Sequence, residues 1–143
     1  MRGAFSKSLS FTLRIILLMT LMGCQHSVGP TAGIVRFHDG SSLTSGSIEF
    51  RNVATGTCFA SRVTNQGIFH PANINGKIGL PVGTYEVVIV QIVLTEDLAK
   101  KEHSHGHTVP RRYADYNTSG LQVTVMANQT KPIEIAIRAD SEK

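Results

Sequence analysis

An all-β fold, an antiparallel seven-stranded sandwich with one long loop, is predicted by three features of this 143-residue sequence. A Pro-x-Gly turn at 81–83 releases a run of about ten residues rich in Val and Ile, the strongest strand signal in the chain. Shorter runs that alternate apolar and polar residues recur between turn-forming residues, at the spacing of an antiparallel sandwich. No segment outside 95–102 carries a helical pattern. The length suits one ordinary domain.

The first 24 residues have the layout of a secretory signal. Arg2, Lys7 and Arg14 make a basic start, 15–21 is a short apolar run, and Leu21, Met22, Gly23 and Cys24 close it. The run falls far below the roughly 20 residues needed to span a bilayer. The whole chain carries 14 Lys and Arg against 10 Asp and Glu, and three of those cations precede Cys24. The remainder is nearly neutral, so nucleic acid is not an expected partner. Residues 25–32 are poor in apolar side chains and read as a tether.

From there 33–143 reads as one domain. The first strand is expected over 33–38, ended by Asp39 and Gly40, which tolerate turn geometry. The second, 45–51, places Ile48 and Phe50 on one face and Glu49 and Arg51 on the other. Strands at 58–64 and 68–70 are expected to form a hairpin about Asn65, Gln66 and Gly67, with Gly67 in a left-handed position. Cys58 then reads as a buried small hydrophobe. After irregular residues 71–77 comes the dominant strand, with Tyr85, Val87 and Ile89 on one side and Val88, Val90 and Ile92 on the other. Both sides are apolar, so it is expected in a sheet interior, covered twice. Alternating runs at 121–125 and 133–137 complete the set.

The segment Leu21-Met22-Gly23-Cys24 resembles the lipobox of bacterial lipoproteins. The resemblance implies that Cys24 is the lipid attachment site and the new N-terminus. Two or more acyl chains, at about 0.8 kcal/mol per buried methylene, hold a protein stably on a membrane. Gln25 follows the cysteine where Asp would favour inner-membrane retention, so an outer-membrane destination is expected. Further on, Gly33 to Gly40 with Ser45 to Phe50, then Ala60 to Phe69, then Leu80 to Val87, resemble the opening strands, the Thr-Asp-x-x-Gly-x-Phe hairpin and the Leu-Pro-x-Gly-x-Tyr-x-Val turn of carboxypeptidase regulatory-like domains. Those domains share a transthyretin-like (prealbumin-like) sandwich. Val109 to Asp115 and Thr118 to Leu121 are similar to a later signature of small lipoproteins of this type. The resemblance covers nearly all of 33–137 and implies a fold and a non-catalytic accessory role in the envelope, without a cofactor. Hydroxyisourate hydrolases of the same fold end in Tyr-Arg-Gly-Ser, which the closing residues 137–143 lack.

Candidate sites gather in the long stretch between Leu94 and Gly120. Loops of such length are usually functional, disordered or partly structured. Residues 95–102 would make two helical turns capped by Thr95. His103, His105 and His107 alternate, so in extended backbone their imidazoles share one side and suit Zn²⁺, Cu²⁺ or Ni²⁺. The alternative is a solvated loop tip. Arg111, Arg112, Tyr113 and Tyr116 make a surface recognition patch, with arginine forks and aromatic rings. The alternative is structural: Pro110 fixes the chain, a Tyr closes over the core, and Asp115 or Asn117 caps a turn. The function expected is a membrane-anchored binding or structural module for an envelope protein or a glycan. A metal-binding protein using the three histidines, or a hydrolase with nucleophile and base in one cleft, are the alternatives.

Overall fold

The computed structural model describes residues 29–91 and 107–139. Among them are seven strands: β1 (Gly33–Phe37), β2 (Gly46–Asn52), β3 (Cys58–Val63), β4 (Ile68–Phe69), β5 (Gly83–Val90), β6 (Leu121–Val125) and β7 (Ile133–Ile137). They divide into a three-stranded sheet ordered β4-β1-β7 and a four-stranded sheet ordered β3-β2-β5-β6. A 3₁₀ turn, Arg111–Ala114, and one α-helical turn, Tyr116–Ser119, lie between β5 and β6.

Both sheets turn one face to a single core. Alternation along β5 sends Tyr85, Val87 and Ile89 inward, all fully buried. Pairing with β2 sets Ile48 beside Ile89 and Phe50 beside Val87, so the inner row continues across the strands. Val35 and Phe37 of β1 and Ile135 and Ile137 of β7 meet it from the other sheet. Phe50 packs on Phe69 of β4 with ring centroids 5.4 Å apart. Tyr85 is buried to its hydroxyl, which donates to the carbonyl of Pro81 at 2.7 Å and so ties the turn to the strand it launches. On its outer face β5 is covered through Val88 but leaves Val90 40% exposed, so the expected double cover runs out at the strand end.

Five expectations are corrected. The fold is not wholly antiparallel: β1 runs parallel to β7, from Gly33 beside Ile133 to Phe37 beside Ile137. The cause is the crossing at 126–132, which leaves the four-stranded sheet at the end where β1 begins, so β7 must run with β1. Next, β3 and β4 are not a hairpin. The turn forms as expected, with Thr64 N–H donating to Ile68 O at 2.9 Å and Gly67 at φ +80°. A Cβ on Gly67 would also stand 2.5 Å from the carbonyl oxygen of Val35. Yet β3 pairs with β2 and β4 with β1, so the turn is a corner between sheets that lets Phe69 enter the core.

The expected tether loses 29–32 to the folded body. Leu80 N–H donates to Pro30 O at 3.2 Å and Ile133 N–H to Ala32 O at 3.1 Å. Cys58 is exposed, because Phe59 takes the inward position on β3 and alternation sends its neighbour out. Finally, Tyr113 is not a surface residue: the alternative reading holds, in which a tyrosine closes over the core, for reasons given with the site.

Phe50→Ala, which removes a fully buried ring at the junction of both sheets, is expected to lower stability by about 3–5 kcal/mol in urea unfolding. A loss below 1 kcal/mol would mean that Phe50 is not a core residue.

Candidate functional site

From residue 107 onward the chain is held at close intervals. His107 stacks against Phe37 with centroids 5.2 Å apart, and its Nε2 lies 2.7 Å from Asp39 Oδ2. Val109 N–H donates to Gln91 Oε1 at 2.9 Å. Pro110 is buried and starts the 3₁₀ turn. The turn drives Tyr113 inward, where its hydroxyl accepts from the Arg138 N–H at 3.1 Å. Arg112 lies over the Tyr113 ring, 4.7 Å from its centroid, and donates to Arg138 O. Asp115 caps the helical turn by accepting from Asn117 N–H at 2.7 Å. The Ser119 hydroxyl is buried and donates to the Val87 carbonyl.

These anchors carry Tyr116 onto the outer face of the four-stranded sheet, where the sequence places a row of charged side chains. Alternation along β2 points Ser47, Glu49 and Arg51 outward, and register sets Glu86 of β5 opposite Arg51. The Arg51 guanidinium donates to Glu86 Oε2 through Nε at 3.1 Å and Nη2 at 2.7 Å. Its Cζ also sits 3.8 Å from the centroid of the Tyr116 ring, a cation–π contact. The Tyr116 hydroxyl donates to Glu49 Oε1 at 2.6 Å. One tyrosine thus binds an acid and stacks on a base, and the base holds a second acid. Cys58 faces the same way, opposite Arg51 across β2 and β3.

The electrostatics follow from this geometry. Partial burial pushes the Tyr116 hydroxyl well above the usual tyrosine range, and the hydrogen bond to the Glu49 carboxylate adds to it. Tyr116 is therefore a neutral donor at any physiological pH. The hydrogen bond to Glu86 strengthens the cationic form of Arg51. At the other end of the strands, the Ser41 hydroxyl and then the Ser41 N–H hold the Asp39 carboxyl at about 2, with His107 contributing less.

The sequence-derived patch therefore divides. Tyr116 is on the surface as expected, Arg111 is exposed, Arg112 lies along Tyr113, and Tyr113 itself is only 6% exposed and cannot touch a ligand. Its burial is forced by the short turn between Pro110 and Asp115, which has one ring to offer the core. Cys24, His103 and His105, and the expected helix at 95–102, lie outside the described residues. Among the described residues no group of three His, Cys, Asp or Glu side chains comes together, and His107 meets Asp39. Glu49, Arg51 and Glu86 were not singled out from the sequence. The alternation of 47–51 puts the first two on one face, but nothing local shows that Tyr116 lands on them.

Among the described residues, open concavities lie on both sheets. One, of about 220 Å³, is lined by Gly46, Ser47, Arg62 and Val90 and continues the Glu49–Arg51 row. Another, of about 460 Å³, lies across β1 and β7 and is lined by Ile34, Arg36, Phe37, His38, Glu134, Ile135 and Ala136. The second has charge of both signs but no hydroxyl or thiol side chain among its lining residues. Comparison of the chain with family models, with characterised proteins and with solved structures returns no match.

Ser41→Ala is expected to raise the Asp39 pKa from about 2 toward 3.8, read from its carboxyl carbon by NMR titration; no change would discard the hydrogen-bond account. Since the folded value is depressed, the wild-type stabilisation is present above the unfolded value and is lost as pH falls toward about 2. Separately, Tyr116→Phe is expected to cost about 1 kcal/mol in urea unfolding, through the Glu49 carboxylate left without its donor.

Proposed function

We propose that this chain is a lipid-anchored module of the bacterial envelope that recognises another envelope protein through the outer face of its four-stranded sheet. Its architecture is read as a transthyretin-like sandwich, supported by the split of seven strands into a three- and a four-stranded sheet around one core. The motifs of 33–50, 60–69 and 80–87 support the same reading. The anchor rests on the lipobox-like 21–24.

One observation carries the binding role: the fixed array of Tyr116, Glu49, Arg51 and Glu86 on a rigid sheet. The Arg51 and Glu86 side chains are 41% and 39% exposed, and ion pairs so exposed contribute only about 0–1 kcal/mol to folding. Stability gives little reason for such an arrangement. A surface for recognition does, since a stacked tyrosine and a planar guanidinium already held in place lose little freedom on binding. The face is open rather than deep, which suits a protein surface better than a small molecule.

A photo-crosslinking residue at exposed Arg62, beside this array, is expected to capture a discrete partner in living cells, and Arg51→Ala to weaken that capture. A glycan adduct at Arg62 would replace the protein partner, and equal capture from Arg36 on the opposite sheet would dismiss the face. Cys24→Ala is expected to release the protein from the membrane fraction; retention there would contradict the anchor.

A further inference from the structure

The exposed apolar side chains are not scattered. Among the described residues six large hydrophobics are strongly exposed: Val53, Ile74, Ile78, Val82, Val90 and Met126. Val53, Ile74, Val82 and Met126 belong to one end of the molecule. Val53 follows β2, Val82 precedes β5 and Met126 follows β6, and these strand ends are neighbours. Val53 N–H donates to Thr84 O at 2.9 Å, and Gly83 pairs with Val125. Ile74 and Ile78 come from the segment beside β3. Ala72 pairs antiparallel with Ala60, so the residues just after it, Ile74 among them, run toward the start of β3, which lies at the same end, before the chain turns back and sets Ile78 opposite Ala72. Ile74 is 99% exposed on a turn held rigid by Asn73, whose Oδ1 accepts from the N–H groups of Asn75 and Lys77, both at 3.0 Å.

The chain enters the folded body at this end too. Gly29 lies so close to Leu80 and Val125 that a Cβ there would collide with the Leu80 carbonyl oxygen, and Pro30 is bonded to Leu80. The connecting stretches that form this end, 29–32, 53–57, 71–82 and 126–132, contain two lysines, Lys77 and Lys131, and no Asp or Glu. The nearest strand carboxylates are Glu86, which is paired with Arg51, and Glu134 on the outer face of β7.

We infer that this end is a membrane-docking surface: Val53, Val82 and Met126 enter the interfacial layer of the bilayer to which Cys24 is anchored, flanked by Lys77 and Lys131 toward anionic headgroups. The inference rests on the lipid-anchor reading. Five residue steps separate Cys24 from Gly29, a reach of at most about 18 Å even when fully extended. A domain held on so short a leash presents its entry end to the headgroups. Apolar tips with basic and no acidic neighbours suit that place, since burying them gains hydrophobic free energy and the lysines meet anionic lipid. The Tyr116 face lies along the flank of the strands, so docking leaves it open to a partner.

The chain has no tryptophan, so single substitutions report on their surroundings without background. The test uses the full-length, lipidated protein in phosphatidylethanolamine and phosphatidylglycerol vesicles with brominated acyl chains, carrying Val82→Trp, Met126→Trp or, at the opposite end, Val90→Trp. The first two are expected to shift to the blue and be quenched, and the third to emit as it does in buffer. Co-flotation with the vesicles while Val82→Trp and Met126→Trp stay as bright as in buffer, or equal quenching at all three sites, overturns the docking and leaves the anchor standing. Failure of the Cys24 protein to co-float overturns the anchor and this inference with it. Shielding of Val82→Trp without vesicles, in a Cys24→Ala background and rising with protein concentration, would assign the patch to a second copy of this chain instead.

Discussion

The inner row of β5 is the constraint on which the other elements depend. Tyr85, Val87 and Ile89 are fully buried, and each can stay so only if β2 and β6 flank the strand and the three-stranded sheet closes over it. A strand alternates its side chains strictly, so fixing these three inward fixes Glu86, Val88 and Val90 outward. Register then passes the choice on. With Phe50 beside Val87, Glu49 and Arg51 must face out, and with Phe59 beside Phe50, Cys58 must do the same. The polar array on the outer face is thus the reverse side of the core.

The segment 107–119 shows how a long connection acquires a definite shape without much regular structure. Its two helical turns are of four residues each, too short to persist alone. They are held instead by a buried ring at Tyr113, a buried hydroxyl at Ser119 and an Asp115 cap. No buried side-chain polar atom among the described residues lacks a partner, so the polar anchors carry no desolvation penalty for unmet hydrogen bonds. Tyr116 inherits its position from these neighbours, which is why its hydroxyl can meet Glu49 at 2.6 Å.

The parts of the fold legible in the sequence are those set by local chemistry. The Pro81–Gly83 turn, the apolar run after it, the glycine at 67 and the Asp115 cap each follow from conformational preferences within a few residues. The parts that escaped depend on distant partners. Whether the chain turns back on itself at 65–67 or crosses to another sheet is decided by where Phe69 finds Phe50, and no local signal encodes that. The direction of β7 relative to β1 is decided by the crossing at 126–132. Cys58 was misplaced by one position, because its side of β3 is set by which neighbour, Phe59, is the larger apolar residue. The candidate site was legible by half: Tyr116 stood in the sequence as a recognition residue, while Glu49, Arg51 and Glu86 come to it from strands far along the chain.

The parallel contact between β1 and β7 also governs the order of events in folding. Residue 33 meets residue 133, so the first of the described strands finds its full-length neighbour only in the last of them. Until Ile137 has left the ribosome, β1 has the two-residue β4 and a single bridge from Arg36 to Ser42 to pair with, and the core beneath it stays open. Closing so wide a loop makes for slow folding, because the entropy of bringing the ends together is spent before the contact is made. A nascent chain built this way keeps its core unfinished until residue 137 has been added.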